Sequence, residues 1–427
     1  MVKKLVGSLL QIMKNQYIYS IATKVIVVVV GFLNSVVLAR YLGPELKGMA
    51  TTVINYSNIF SIIITFGLQE AYPYFRNKRN NKKFISEYMS LVITIFIIYS
   101  IVLIIFAAIC RPSFDVISCI IVTLIMGYSI IVNYIALVES PNKRNTAMTI
   151  MYMIDFAILI GAYIFIPQSY TIAIFLSSFI FLMQSIFYSI KLNFKYDFRL
   201  IKKKDVFSYV KFGFFPMIAL LLTTLNYRVD VIMLRASTEV TYAQIGIYSI
   251  GVSLAEKVFM IPNAVKEILL SKLANGKGKD EVCKIIKLCW PMCLISTIFI
   301  IILGKPFIYI FYGDEYVDAY LTTIICVFGT IFMIFFKMIS TYNIINGRQK
   351  INLVLLLISN VINILSNIFL IPLYGTNGAA VSSDISYFIC AILFISYFCK
   401  TEKLKLKQVI FFEKEDMKFL KKIKGGN

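Results

Sequence analysis

Twelve stretches of about 20 mostly apolar residues are the feature that most restricts how this chain can fold. A helix of that length is about 30 Å long and crosses the hydrocarbon core of a bilayer. A soluble protein is excluded, because 59% of the 427 residues are hydrophobic and only 15% are charged. The sequence therefore predicts an all-α polytopic membrane protein with twelve transmembrane helices. The predicted spans are residues 17–39, 49–69, 87–109, 116–138, 146–166, 171–190, 206–233, 244–270, 285–303, 318–340, 351–371 and 377–399.

Lysine and arginine residues are distributed unevenly between alternate loops. If the N-terminus is cytoplasmic, 31 of the 43 Lys and Arg residues lie in cytoplasmic segments, 5 in outer loops and 7 within spans. Membrane proteins concentrate these residues on the cytoplasmic side. The distribution therefore predicts that both termini are cytoplasmic.

The net charge of +21 is scattered over the cytoplasmic segments and does not form one basic patch. Anionic headgroups of the inner leaflet attract such residues. The tail carries eight lysines within 403–424, which predicts a basic segment along the membrane surface. Membrane lipid is thus an expected partner, and nucleic acid is not.

Features of an enzyme are missing from the sequence. It contains no histidine, the commonest general base, and no loop long enough to fold as a domain. The eight cysteines lie mostly in apolar runs, which is typical of buried small side chains and not of metal ligands. We therefore expect a secondary transporter or flippase without catalytic residues, a metal site or a cofactor.

Two segments six spans apart are similar to each other. The first span ends in Val37-Leu-Ala-Arg40 before a polar turn, and the seventh ends in Ile232-Met-Leu-Arg235 before a polar loop. Transporters are often built from two related halves. The predicted organisation is an N-terminal six-helix lobe at 1–190, a basic cytoplasmic linker at 191–205, a C-terminal six-helix lobe at 206–400 and a basic cytoplasmic tail at 401–427.

The first outer loop carries a more specific pattern. The run Leu38-Ala-Arg-Tyr-Leu-Gly-Pro-Glu-Leu-Lys-Gly48, in which the Gly43–Pro44 pair is expected to end span one, resembles the first loop of bacterial polysaccharide-unit (Wzx-type) flippases. The stretches 246–262 and 372–380 agree with this resemblance. These flippases belong to the multidrug/oligosaccharidyl-lipid/polysaccharide exporter (MOP) superfamily. The resemblance covers essentially the whole chain and implies two six-helix lobes that form a V around a central cavity, with alternating access.

The resemblance also implies a substrate and a location. The substrate is an undecaprenyl-diphosphate-linked oligosaccharide, moved across the bacterial cytoplasmic (inner) membrane for assembly of lipopolysaccharide or capsule. A glycan polymerase and other surface-polysaccharide assembly proteins are the implied partners, and H⁺ or Na⁺ is the candidate coupling ion. The alternative is a cation-coupled multidrug antiporter of the same superfamily. Basic residues within the spans favour the flippase, because a drug-cation extruder favours an acidic cavity.

Three of the seven basic residues within spans are candidate substrate-binding residues. A charge near the bilayer centre is costly unless it is paired or hydrated. Lys257 lies near the middle of span eight, Arg228 in the outer half of span seven, and Lys24 faces the end where a lipid diphosphate enters. Arginine binds phosphate through a fork of donors and lysine as a point charge. The other four are expected to reach a membrane interface: Lys211, Lys266, Lys287 and Lys337.

Acidic residues within the same spans leave a structural alternative open. Pairing of Asp230 with Lys257 would neutralise both, and Glu256 is a further partner. Asp155 is expected to pair with Lys24 or to take part in cation coupling. If these acids neutralise the bases, the whole set is structural and not a binding site.

Asparagines form a stripe on span eleven. Asn360, Asn363 and Asn367 follow the spacing i, i+3, i+7, which places them on one helix face. This pattern is typical of polar contacts between transmembrane helices, and a sugar-lined cavity is the alternative interpretation.

Overall fold

The computed structural model describes residues 16–79, 82–191, 195–274 and 278–412. Within these ranges the chain forms α-helices joined by short turns, and it contains no β-strand. Both chain ends, whose cytoplasmic location the sequence predicts, lie outside the described residues. The helices are α1 (Gln16–Ile64), α2 (Leu68–Lys78), α3 (Lys82–Cys110), α4 (Phe114–Glu139), α5 (Pro141–Phe165), α6 (Tyr170–Lys191), α7 (Lys203–Ala236), α8 (Tyr242–Ala255), α9 (Met260–Ala274), α10 (Lys279–Tyr312), α11 (Ala319–Ile345), α12 (Gln349–Glu402) and α13 (Leu406–Ile410).

Ten helical segments in the described part of the chain are long and apolar enough to cross a membrane. Two of them, Val25–Lys78 and Gln349–Glu402, contain 54 residues each. A straight helix of that length measures about 80 Å, more than twice the thickness of the hydrocarbon core. Each is interrupted by a glycine with non-helical backbone angles, Gly43 (φ 66°, ψ 173°) and Gly375 (φ 56°, ψ −131°). If the two sides of each break are counted separately, the number of membrane-spanning segments rises from ten to twelve. This is consistent with the number predicted from the sequence.

The first break falls at the Gly43–Pro44 pair, where the sequence predicts the end of span one. A positive φ costs glycine little because it has no Cβ, and Pro44 then lacks the N–H that would continue the helix ladder. Pro306 lies inside α10, so this helix continues through it.

The chain divides into two compact units, Met1–Leu221 and Leu222–Asn427. The boundary lies inside α7. The beginning of this helix packs within the first unit, where Arg79 Nη2 lies 2.5 Å from Asp205 Oδ1 and the rings of Tyr74 and Phe212 stack at 4.1 Å. The lobe limits at 190 and 206 stay a prediction.

Buried tyrosines form the core of the first unit near the ends of α2 and α3. Tyr72, Tyr88 and Tyr209 are at most 2% exposed, and their rings lie against one another. Each hydroxyl has a partner, as a buried phenol requires. Tyr72 Oη donates to Glu139 Oε1 at 2.6 Å, Tyr88 Oη to the Leu68 carbonyl at 2.5 Å, and Tyr209 Oη to Glu87 Oε1 at 2.8 Å.

Helix α11 is the centre of the second unit. It packs against α8, α9, α10 and α12, and nearly all of its residues from Ile331 to Asn343 are buried. A helix that is apolar on all sides is expected at the middle of a bundle. Outer helices instead carry exposed apolar side chains, such as Ile104 (69% exposed) and Ile109 (75%) on α3. These side chains are placed to face lipid.

Candidate functional site

Arg228 of α7 forms an ion pair inside the second unit. Its Nη2 donates to Glu256 Oε2 at 3.0 Å, and the two side chains are 35% and 20% exposed. Glu256 begins a 3₁₀ turn, Glu256–Phe259, that joins α8 to α9. The pair is therefore held by two separate elements, and it leaves other N–H groups of the guanidinium available to a ligand.

Asp230 has different partners from the one suggested by the sequence. It is 3% exposed and accepts a hydrogen bond from the Tyr248 hydroxyl of α8. Its Oδ1 also accepts from the Val231 N–H at 2.8 Å. Among the described residues Asp230 therefore pairs with Tyr248 and the Val231 N–H, and the structure records no ion pair between Asp230 and Lys257 there.

Lys257 lies in the 256–259 turn. The sequence predicts one continuous helix from 244 to 270, but the structure breaks it here into α8 and α9. This turn lies within an apolar segment, Tyr242–Asn263, that is long enough to span a membrane. The carboxylate of Glu256, the residue before Lys257, is engaged by Arg228.

Lys337 does not reach an interface as the sequence predicts. It is 9% exposed, because it projects from the central helix α11. Its Nζ donates to Asn263 Oδ1 at 2.8 Å and lies over the rings of Phe259 at 4.2 Å and Tyr227 at 5.7 Å. Aromatic faces stabilise a desolvated cation by about 2 kcal/mol. Lys337 is thus enclosed by protein groups.

Asp155 of α5 is paired with an amide in the first unit. Asn34 Nδ2 of α1 donates to Asp155 Oδ2 at 2.8 Å and to the Tyr152 carbonyl at 3.4 Å. Lys24 lies ten residues before Asn34 in α1, about 15 Å along the helix. The Lys24 side chain lies outside the described residues, and its role stays a prediction.

The asparagine stripe of α12 packs against α7 in the second unit. Asn360 Nδ2 donates to the Leu222 carbonyl at 2.9 Å, and Asn363 Nδ2 donates to the Asn226 carbonyl at 3.3 Å. Asn226 Nδ2 in turn donates to Ser359 Oγ at 2.8 Å. The stripe therefore makes polar contacts between these two helices, as one interpretation of the sequence predicts.

Several buried acceptors beside this stripe lack a donor. The side-chain oxygens Oδ1 of Asn226, Asn360 and Asn367 have no hydrogen-bond partner among the described residues. Asp384 Oδ1 of α12 is also without one in the described part of the chain. Sequence analysis missed Asp384, although a carboxyl within an apolar span is the signal that identified the other acids. Its carboxylate fits over Gly329 of α11, where an added Cβ would lie 2.1 Å from Asp384 Oδ1.

The sequence matches a known family over residues 13–265, more than half of the chain. That family is described as polysaccharide biosynthesis protein. The chain belongs to this family. A curated relative, the capsular polysaccharide biosynthesis protein CapF of Staphylococcus aureus, is 25% identical over 146 residues. This match covers 33% of the chain and 37% of CapF, so it spans just over a third of the relative's length.

Solved structures share the fold of this polysaccharide biosynthesis family member. The lipid II flippase MurJ in an inward closed conformation superposes with a TM-score of 0.67 at 15% identity, over 96% of this chain and 94% of MurJ. An inward-facing multidrug resistance MATE family transporter of the MOP superfamily superposes with a TM-score of 0.63 at 15% identity, over 88% of this chain and 94% of the transporter. At this identity the structures show that the chain has the fold of these transporters.

Proposed function

We propose that the protein is a flippase that moves an undecaprenyl-diphosphate-linked oligosaccharide across the bacterial inner membrane by alternating access. One observation carries the proposal: a chain of the polysaccharide biosynthesis family shares its fold over nearly its whole length with a lipid flippase. The oligosaccharide is assembled into surface polysaccharide by partner proteins such as a glycan polymerase. Both termini are cytoplasmic in this proposal, in keeping with the charge distribution.

The proposed contact with the substrate is between Arg228 and its diphosphate. The guanidinium is partly exposed and uses one of its nitrogens for Glu256, and a phosphate accepts hydrogen bonds from the others. Lys257 supplies a second positive charge one residue beyond Glu256. Glu256 holds the Arg228 side chain in place, and Asp230 takes no part because Tyr248 already engages it. Lys24 is a predicted third cation.

Transport by the purified chain tests the function directly. The full-length protein is reconstituted into vesicles that contain a fluorescent polyprenyl-diphosphate oligosaccharide, and accessibility of the saccharide to an external enzyme is measured over time. We expect saccharide to cross only in vesicles that contain the protein. Export of a cationic drug dye under an ion gradient, without movement of the saccharide, would instead support the multidrug antiporter alternative, which the MATE-like fold also allows.

We also propose that an ion gradient drives transport through the buried oxygens of the second unit. Hard cations such as Na⁺ prefer amide and carboxylate oxygens, and the acceptors of Asn226, Asn367 and Asp384 lack donors in the described part of the chain. A proton, in contrast, requires only a carboxylate such as that of Asp384. H⁺ and Na⁺ coupling therefore differ in which residues they need.

We expect Asp384→Asn to reduce gradient-driven transport by about tenfold or more, since it removes the negative charge that balances either ion. Asn226→Leu distinguishes the two ions, because it removes an amide oxygen without changing a titrating group. It also removes the hydrogen bond from Asn226 Nδ2 to Ser359, so transport is compared at equal amounts of folded protein. Loss of transport in both variants under a Na⁺ gradient indicates Na⁺. Loss in Asp384→Asn alone under a pH gradient indicates H⁺. If both variants transport at the wild-type rate, coupling does not pass through these oxygens.

A further inference from the structure

A groove of about 250 Å³ opens on the surface of the first unit. Its walls are formed by Phe66, Ile95, Ile98, Tyr99 and Val210. The Tyr99 hydroxyl is not available as a donor to a molecule in the groove, because it donates to the Ile64 carbonyl at 3.2 Å. A water molecule needs two to four polar partners to occupy a cavity. The groove is therefore suited to hydrocarbon.

The groove is shaped by the break between α1 and α2. Phe66 (φ 47°) and Gly67 (φ 69°) both have left-handed backbone conformations, and for a phenylalanine this conformation is strained. α7 crosses the break in direct backbone contact, since a Cβ on Gly67 would lie 2.0 Å from the Gly213 carbonyl oxygen. Val210, one turn before Gly213, is thereby held beside Phe66. Such strain persists only where the surrounding structure enforces it, and it is common at ligand sites.

One face of α7 beside the groove carries two exposed rings with a cation between them. Phe207, Lys211 and Phe214 follow the spacing i, i+4, i+7, and the two rings are 68% and 48% exposed. Lys211 is also exposed and lies eight residues into α7, about 12 Å from its start. A lysine on a lipid-facing surface at this depth attracts an anionic headgroup.

We propose that the groove holds the isoprenoid chain of the lipid-linked oligosaccharide while Lys211 contacts its diphosphate, before the diphosphate moves to Arg228. This inference rests on the proposed function. During transport the saccharide crosses the membrane, but the isoprenoid tail stays in hydrocarbon and requires a surface that faces lipid. The methyl branches of an isoprenoid chain fill a groove lined by branched and aromatic side chains, where a linear acyl chain makes fewer contacts.

Binding of undecaprenyl monophosphate, which carries no saccharide, tests the proposal. The full chain is placed in nanodiscs of zwitterionic lipid, and binding is measured by competition with a photoreactive polyprenyl phosphate. Ile98→Trp fills the groove from a side chain that is 52% exposed, so the core is not repacked. Ile104→Trp is the matched control, because Ile104 is on the same helix, is 69% exposed and does not line the groove.

We expect Ile98→Trp to weaken binding by about tenfold and Ile104→Trp to leave it unchanged. Lys211→Ala should also weaken binding by about tenfold, and Lys211→Arg should restore it. Wild-type binding by Ile98→Trp overturns the proposal. Equal displacement of the probe by phosphatidylglycerol also overturns it, since the groove would then be a general phospholipid site.

The transport assay separates this inference from the proposed function. If the groove variants bind the probe like the wild type while the wild type transports the saccharide, the groove proposal fails and the proposed function stands. If the wild type binds the probe in the groove but does not transport the saccharide, the proposed function fails and the groove remains a polyprenyl site.

Discussion

Replacement of Arg228 by alanine should reduce transport by about 10- to 100-fold while the protein accumulates normally in the membrane. A hydrogen bond between charged groups contributes about 1.5–3 kcal/mol, and Arg228 is proposed to make such bonds with the diphosphate. The Glu256 carboxylate left behind is 20% exposed, so it can be hydrated and the fold should persist. The initial rate of saccharide transport and the amount of folded protein are the two measurements.

A second ion pair in the same unit provides the matched control. Arg348 Nη1 lies 2.8 Å from Glu402 Oε1, with exposures of 33% and 14%, close to those of the Arg228–Glu256 pair. The hydrogen bond to Glu402 raises the pKa of Arg348 above its ordinary value, so Arg348 is charged at any working pH. Arg348→Ala should leave transport unchanged.

Changes at Lys257 should act in the same direction as Arg228→Ala. We expect Lys257→Ala to reduce transport and Lys257→Arg to recover part of it, because the phosphate contact needs the charge. If Arg228→Ala and Lys257→Ala transport normally at normal abundance, the proposed site is wrong. If both instead prevent accumulation of the protein, the charges are structural, which is the alternative left open by the sequence.

Replacement of Gly378 by alanine should strongly reduce the amount of folded protein. Gly378 follows the break at Gly375 in α12, and a Cβ there would lie 2.0 Å from the Leu370 carbonyl oxygen and 2.5 Å from its carbon. These are backbone atoms of the same long helix and cannot move aside as a flexible side chain does. Overpacking of this kind costs about 1–3 kcal/mol or more.

Gly161 of α5 is the control for this substitution. A Cβ at Gly161 meets nothing within 4 Å, and alanine is the better helix former by about 1 kcal/mol. We therefore expect Gly161→Ala to accumulate at or above the wild-type level. Thermal stability in detergent, followed by fluorescence-detected size exclusion, compares the two variants. Equal stability of Gly378→Ala and the wild type would show that the α12 break can relax.

The spans were predictable because hydropathy is a local property of the chain. The predicted span 116–138 corresponds to α4 (Phe114–Glu139), and 206–233 corresponds to α7 (Lys203–Ala236). A continuous apolar run of 20 residues has few ways to satisfy its backbone groups in lipid, and a helix is the simplest. The break at Gly43–Pro44 was also visible in the sequence, since glycine and proline have specific backbone requirements.

The partners of the polar residues were not predictable in the same way. Hydropathy places Lys337 near the end of a span, but the position of α11 at the centre of its bundle determines that Lys337 is buried by Phe259 and Tyr227. Glu256 lies in the 256–259 turn and pairs with Arg228, although a regular helical pattern continues through these residues in the sequence.

The sequence by itself determined that this chain crosses a membrane many times as helices, because apolar length and composition decide that question residue by residue. Only the tertiary structure decided that Asp230 is engaged by Tyr248, that Arg228 is paired with Glu256 and that Asp384 fits over Gly329. These pairings depend on how each helix is rotated and on which neighbour faces it. The rotation of a helix and the identity of its neighbour follow from packing over the whole unit. Polar groups inside a membrane form many of their hydrogen bonds with another helix.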